Sequence, residues 1–361
     1  MGKYKVCVYA ICKNEQNFIN RWVDSMSEAD EIYVLDTGSK DKSVKMLKKR
    51  GVHVKVKNIK PWRFDVARNL SLDMVPKDTD ICVCTDLDEV FEKGWRDNLE
   101  KIWINGLTRL HYNYIWSFNE NNEPAVNFYT DKIHIRNGYK WDHPVHEILV
   151  YDLDEVIFTT DEITLKHYPD KSKSRSQYLE LLELSVKESP LDDRGMHYLG
   201  REYMYYHRWN DCIDTLIKHL NLKSATWKDE RAASMRFIAR SYQALNRYDE
   251  AIMWLDKAIL EAPYLRDGYI EKALLEYNYE KWDSVIECCL KALEIKNHEK
   301  SYINEPFSFD YTVYDLLSLA YYYTGYIDKS LECVKKALSM DPKNVHLLNN
   351  KKIIEEQKNN H

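Results

Sequence analysis

Two short runs concentrate the reactive side chains of the first half of the chain. Thr85–Glu89 reads Thr-Asp-Leu-Asp-Glu and follows an apolar run, so Asp86 and Asp88 leave it two residues apart. Hard carboxylate oxygens in such a pair suit Mg2+ or Mn2+, ions that keep positions open for phosphate oxygens. The bland reading of the same acids is a solvated turn at a strand exit. Trp141–Glu147 reads Trp-Asp-His-Pro-Val-His-Glu and offers Asp142, His143, His146 and Glu147 within one segment. Those side chains can accept a proton or bind a metal. A third feature is electrostatic: Lys40–Arg68 holds eleven Lys/Arg against Asp41 and Asp65, a local +9 in a chain of net charge -6. It reads either as a solvated helix face with an edge strand or as a neighbour of a phosphate-bearing ligand. The global balance speaks against a chain-wide polyanion footprint.

These residues need elements to hold them. At 361 residues the chain exceeds one hydrophobic core, and two to three domains are expected. The first half alternates short apolar runs with amphipathic stretches: strands at Lys5–Ile11, Glu31–Asp36, Val52–Val56 and Asp80–Thr85, helices at Asn17–Met26, Ser39–Arg50 and Val66–Met74. That order builds a parallel-type sheet, in which ligands bind beyond the carboxyl ends of the strands. Two such ends carry Leu-Asp-Thr-Gly-Ser-Lys-Asp and Cys-Thr-Asp-Leu-Asp-Glu, so acids and small residues converge on one edge. No Gly-x-Gly-x-x-Gly follows the first strand, which removes a dehydrogenase reading.

From about Asp192 the pattern becomes helical throughout, and small residues recur in a fixed frame. Ala239, Ala251, Ala258 and Pro263 reappear 34 residues on as Ala273, Val285, Ala292 and Asn297. The frame returns at Ser318, Ser330, Ala337 and Pro342 with Gly325 at the turn, and more weakly at Gly200, Cys212 and His219. Small residues belong where paired helices cross closely, and Pro ends a helix because it cannot continue the hydrogen-bond ladder. Four tetratricopeptide-like helix pairs are expected, with inserts near Ser224–Lys228 and Asn297–Phe307 and a capping helix at Val345–Gln357. Stacked pairs need little glycine, consistent with only 10 Gly in the chain. The 27 Tyr are spread over both halves.

Ala-Ile-Cys-Lys-Asn-Glu (10–15), Leu-Asp-Thr-Gly-Ser-Lys-Asp (35–41), Ala-Arg-Asn (67–69), Thr-Asp-Leu-Asp-Glu (85–89) and His-Pro-Val-His-Glu (143–147) share an order and rough spacing. In that order the chain resembles the family 2 glycosyltransferases over about residues 4–170. With helical repeats appended, the architecture is similar to that of peptide S-glycosyltransferases of the sublancin type. The resemblance implies a GT-A fold, Rossmann-like α/β, at 1–170, a helical linker at 171–191 and an all-α tetratricopeptide repeat domain at 192–361. It implies inversion at the sugar, a nucleotide-diphosphate sugar donor, foremost a UDP-sugar, and Mn2+ or Mg2+. It places Asn14, Glu15, Asp36, Thr37, Gly38, Arg68, Asn69 and Asp86 at the nucleotide sugar. Ser39 and Asp41 either complete that turn or cap a helix, and Arg68 either neutralises diphosphate or forms a structural ion pair. Asp86 and Asp88 would hold the metal, with His146 and His167 as further ligands. Glu147 is expected as the base with His146 close behind and Asp142 as the third candidate. Trp95 and Trp141 are expected at the acceptor, among aromatics that core packing otherwise explains, and Glu120–Pro124 as a hairpin tip or flap.

A helical array favours a peptide or protein acceptor and a homodimer; a cell-surface glycan is the competing acceptor and nucleic acid a remote third. A scaffold that binds the nucleotide sugar without turnover is the reading of another class. The eight cysteines, most in apolar runs, and an N-terminal apolar stretch too short for a signal peptide or span point to the cytoplasm.

Overall fold

The computed structural model describes residues 2–119, 122–170, 178–297 and 301–359. Parts of the Glu120–Pro124 turn, of the 171–191 linker and of the Asn297–Phe307 insert lie outside the described residues. The chain divides into two compact units, residues 1–185 with 300–302, and residues 186–299 with 303–361.

Among the described residues the first unit contains β1 (Val6–Cys12), α1 (Ile19–Met26), β2 (Glu31–Asp36), α2 (Ser43–Lys49), β3 (His53–Val56) and α3 (Phe64–Leu72). There follow β4 (Ile81–Cys84), β5 (Glu89–Phe91), α4 (Trp95–Ile102), β6 (Arg109–Phe118), β7 (Pro124–Ile135), β8 (Tyr139–Asp142), β9 (Ile148–Tyr151) and β10 (Ile157–His167), and then α5 (Tyr178–Glu188), within which the division between the units falls. Eight strands form one sheet in the order β3-β2-β1-β4-β7-β6-β10-β5, and β8 pairs with β9 as a separate hairpin. The β3-β2-β1-β4 half is parallel; β7 then runs antiparallel to both β4 and β6. Strands covered on both faces must be apolar throughout, and Val6 to Ala10 and Ile81 to Cys84 are each fully buried. Helix α1 seats Ile19, Trp22 and Met26 in the core over this half, burial worth about 1.5–3 kcal/mol per large side chain.

Two boundaries differ from expectation for local reasons. Helix α2 begins at Ser43 rather than Ser39, because Asp41 accepts from Ser43 N (2.9 Å) and Gln16 N (3.1 Å), so its carboxylate shapes the loop that leads in. Helix α3 begins at Phe64, where Asp65 in the first turn is clasped by Arg63 through two bonds of 3.0 and 2.8 Å.

The second unit is helical: α6 (Asp193–Tyr205), α7 (Trp209–Asn221), α8 (Lys228–Ala244), α9 (Tyr248–Glu261), α10 (Arg266–Asn278), α11 (Trp282–Glu294), α12 (Thr312–Tyr323), α13 (Ile327–Met340) and α14 (Val345–Asn359). Consecutive helices pair as α6/α7, α8/α9, α10/α11 and α12/α13, with α14 on the last pair. The small residues of the frame are the crossing points: Ala239, Ala251, Ala258, Ala273, Val285, Ala292, Ser318, Ser330 and Ala337 are all buried at 2% exposure or less. At Gly200 a methyl group would meet Leu216 of α7 at 2.3 Å, so only glycine permits that approach. Each pair turns through a residue of positive φ: His207, Asn246, Glu280 and Gly325 at 58°, 58°, 55° and 81°. All eight cysteines are buried free thiols. Among the described residues no helix is long and apolar enough to cross a membrane.

Candidate active site

The carboxyl ends of β1, β2 and β4 carry the expected motifs, and each does something different. Asp36, at the end of β2, is fully buried and accepts from Gly38 N (3.0 Å), Ser39 N (2.9 Å) and the Ser39 hydroxyl. The carboxylate expected at the base or ribose thus also shapes its own turn. Gly38 holds φ 109°, and an added methyl would strike the Asn58 side chain at 2.1 Å. Thr37 bonds Cys12 O through both N (2.8 Å) and Oγ1 (3.1 Å), tying the turn to the end of β1. Asn14, at φ 58°, completes the join: its N donates to Ser39 Oγ (2.8 Å) and its Oδ1 accepts from Lys40 N (2.7 Å). Glu15 N donates to Ser43 Oγ (2.8 Å). The loop is thereby a rigid backbone cradle.

The exit of β4 is a charge cluster. Arg68 of α3, 3% exposed, donates from Nη2 to Asp86 Oδ1 (2.6 Å) and from Nε to Glu147 Oε1 (2.9 Å). One guanidinium therefore joins the acid after β4 to the acid of the β8–β9 hairpin. Lys132 of β7 stands 3.5 Å from both Asp86 Oδ2 and Glu89 Oε1. Glu89 is 1% exposed, accepts from Tyr114 Oη (2.7 Å) and receives the Asp86 backbone N–H on its other oxygen (2.8 Å). Burial by itself would lift the Asp86 carboxyl, but Arg68 and Lys132 hold it well below the usual range. Burial raises Glu89 against the pull of Lys132. Burial would lower Lys132, and Glu89 and Asp86 overturn that and raise it. Both cations stay charged.

Asp88 faces the other way. Its Oδ2 lies 3.4 Å from His167 Nε2, while His167 Nδ1 donates to Trp116 O (3.1 Å), fixing which nitrogen points at the acid. Burial would lower His167, but the Asp88 bond and charge raise it. Trp116, 47% exposed, stacks on the imidazole at 4.4 Å and 23°.

Of the four expected metal ligands, the structure brings together Asp88 and His167. Asp86 is drawn to Arg68 and Lys132, and His146 packs edge-on against Tyr178 at 5.8 Å. Among the described residues no three of the four have ligand atoms within 4.8 Å of one another. The donor set nevertheless fits a hard divalent ion held by one carboxylate and one imidazole, with phosphate oxygens filling the rest. Four carboxylates (Asp86, Asp88, Glu89, Glu147) stand against two fixed cations, which leaves room for a divalent charge.

Of the proposed bases, Glu147 is bound to Arg68, whereas Asp142 is exposed and accepts from His143 N (2.8 Å). Asn69 clamps the hairpin through two bonds of 2.8 Å to the Trp141 backbone. The two tryptophans expected at the acceptor are core residues: Trp95 is 2% exposed with Nε1 on Ser25 O (3.0 Å), and Trp141 is 4% exposed. Neither presents a ring face to a sugar or peptide. Trp141 Nε1 instead starts a relay to Tyr9 Oη (2.9 Å), which lies 2.8 Å from His134 Nε2, with His134 Nδ1 on Ile135 O (2.7 Å). Trp116 is the exposed ring beside the acids. Lys132 and Tyr114 carry no motif signal, and Glu89 stood only as the last residue of Thr-Asp-Leu-Asp-Glu, without a role; a buried lysine demands an acid, and here Glu89 and Asp86 supply it.

Residues 7–124 match the family described as glycosyl transferase family 2, and residues 237–265 and 311–344 match the tetratricopeptide repeat. The chain thus carries a glycosyl transferase family 2 domain followed by tetratricopeptide repeats. No curated protein matches it. Solved structures similar to the repeat part include MamA (24% identity, 49% of this chain and 97% of that one, TM-score 0.38). Others are a thermophilic TPR protein of Thermus thermophilus (17%, 50% and 89%, 0.35) and YrrB, titled a TPR protein with an unusual peptide-binding site (14%, 49% and 83%, 0.37). These likenesses concern the helical repeat fold alone.

Proposed function

We propose that the chain is an inverting, divalent-metal-dependent glycosyltransferase of the cytoplasm that moves a sugar from a nucleotide-diphosphate sugar, foremost a UDP-sugar, to a peptide or protein. One observation carries this reading: a single buried guanidinium, Arg68, joins Asp86 at the β4 exit to Glu147 of the hairpin. A donor beside Asp86 and an acceptor beside Glu147 are thereby set against each other by one rigid group. Transfer with inversion needs a proton taken from the acceptor and charge absorbed on the leaving diphosphate. A bound Mg2+ or Mn2+ would supply Lewis acidity at the diphosphate, with Asp88 and His167 holding it. Arg68 and Lys132 add fixed positive charge there, and Glu147 takes the acceptor proton with His146 as the next candidate. The cradle of Asn14, Asp36, Thr37 and Gly38 offers the nucleotide a backbone preset by its own hydrogen bonds.

The peptide acceptor is supported by the second unit, where Trp282 and Tyr323 stack at 4.5 Å and line a surface cavity of about 330 Å3 with Tyr277 and Asn278. Incubation with Mn2+ and a panel of UDP-, GDP- and dTDP-sugars, with peptides and oligosaccharides as acceptors and mass spectrometry as readout, tests the proposal. Asp88→Asn should lower metal-dependent turnover at least 100-fold with the fold intact. Full activity in that variant sinks the metal assignment, and transfer to oligosaccharide alone sinks the peptide acceptor.

A further inference from the structure

A polar cluster between the first helix pair and α8 has no part in the transfer reaction. Asp193 opens α6, His219 lies in the last turn of α7 and Glu230 in the first turn of α8. Their ligand atoms all fall within 4.8 Å of one another. His219 is fully buried and Glu230 is 3% exposed. Among the described residues His219 Nε2 has no hydrogen-bond partner, although Glu230 Oε1 is only 3.3 Å away. That separation suits two ligands of one ion: at about 2.0–2.1 Å from a tetrahedral Zn2+, neighbouring donors stand roughly 3.3 Å apart.

The surroundings set the imidazole for this role. Ser234 Oγ lies 3.0 Å from His219 Nδ1 and 2.7 Å from His197 Nδ1. A metal at Nε2 would select the tautomer with the proton on Nδ1, donated to Ser234, whose own hydroxyl then donates to His197 Nδ1. The chain His197–Ser234–His219 then aims the Nε2 lone pair at Glu230 and Asp193, as the outer partner of a metal-bound histidine does. Two carboxylates and a neutral imidazole total -2, the complement of a divalent ion.

We propose that Asp193, His219 and Glu230 bind one divalent transition-metal ion of the Zn2+ kind. The ligands come from three consecutive helices, so the ion would clip the first pair to α8 across the five-residue insert Ser224–Lys228. This site is distinct in residues and in unit from the one assigned to transfer, and it stands whether or not the transfer reading does.

The test uses the full chain carrying Asp88→Asn, so that zinc on the front unit does not confuse the count. After chelator treatment, protein is exposed to Zn2+, passed through gel filtration and assayed for metal by mass spectrometry, with thermal unfolding in parallel. One zinc per chain is expected, with Tm raised by about 5–10 °C at free zinc 100-fold above Kd. Adding His219→Asn, which keeps a donor for Ser234 but lacks Nε2, should abolish both. Adding Asp193→Asn, at the partly exposed ligand, should weaken binding at least tenfold and keeps the test readable should the first variant unfold. Co2+ in place of zinc should show visible absorption that is lost with His219→Asn. Failure of the Asp88→Asn chain to retain zinc overturns the proposal, as does retention at full affinity by both added variants.

Discussion

The two units bury charge by opposite routes. In the first, Arg68, Asp86, Lys132 and Glu147 arrive from a helix, a strand exit, an antiparallel strand and a hairpin, and meet because strand ends converge whatever their distance in sequence. In the second, Arg236 and Arg240 sit one helical turn apart on α8 and share Glu271 and Glu305. A sheet assembles its buried charges from remote segments at one edge, where a ligand can use them. A helical array makes them in rows, where they serve packing first.

Substitution should separate these roles. Arg68→Ala leaves Asp86 and Glu147 facing each other without their common cation, a loss of about 3–5 kcal/mol in stability with turnover abolished. In the repeats, Arg236→Ala leaves Arg240 with the same two acids and should cost about 1–3 kcal/mol with turnover retained. Urea unfolding beside donor hydrolysis reads both, and equal activity losses would break the contrast. Overpacking comes next: Gly200→Leu drives a side chain into Leu216 and should cost about 3 kcal/mol, confined to the repeat unit.

Acid should weaken the first unit through His134. Burial, partly offset by its bond to Ile135 O, lowers its pKa to about 3, whereas in the unfolded chain it titrates near its ordinary value of 6.5. Between those values the unfolded state binds more protons, so stability is fully present above about 6.5 and falls as pH drops. Stability measured by denaturant titration should fall by about 2 kcal/mol from pH 7.5 to 5, at about 1.4 kcal/mol per unit below 6.5. His197 makes the same demand in the repeats. The smallest effect is expected at Gly325, where an added methyl meets nothing within 4 Å but φ is 81°; Gly325→Ala should cost about 1 kcal/mol.

What the sequence made legible follows the same divide. Apolar runs ending in acids located β1, β2 and β4 and the edge where the charges gather. Small residues in a fixed frame located the four helix pairs, because close crossing leaves no other choice at Gly200 or Ala251. The antiparallel half of the sheet is not legible in the sequence, since β7 and the start of β10 are largely exposed or half-buried and lack a clean alternation of apolar and polar residues. Lys132 looks like any surface lysine until Asp86 and Glu89 are beside it. Trp95 and Trp141 carried the wrong expectation because an aromatic announces bulk but not which side of the wall it occupies. The His197–Ser234–His219 chain is silent for a similar reason: a repeat frame specifies where residues must be small and says nothing of which interior positions are polar.

The positive-φ turns hold one more consequence. His207, Asn246, Glu280 and Gly325 follow one another at intervals of 39, 34 and 45 residues, yet within every pair the small residues of the two helices stay 12 apart, from Gly200–Cys212 to Ser318–Ser330. All the variation in length falls between hairpins and none inside them. Closing a longer connection costs only about 0.6 kcal/mol per doubling, while lengthening a hairpin would move every crossing point out of register. The joints are therefore where the array varies in length while keeping its crossing register, and the longest of them, between α11 and α12, turns its added sequence to use by carrying Glu305 to Arg236 and Arg240.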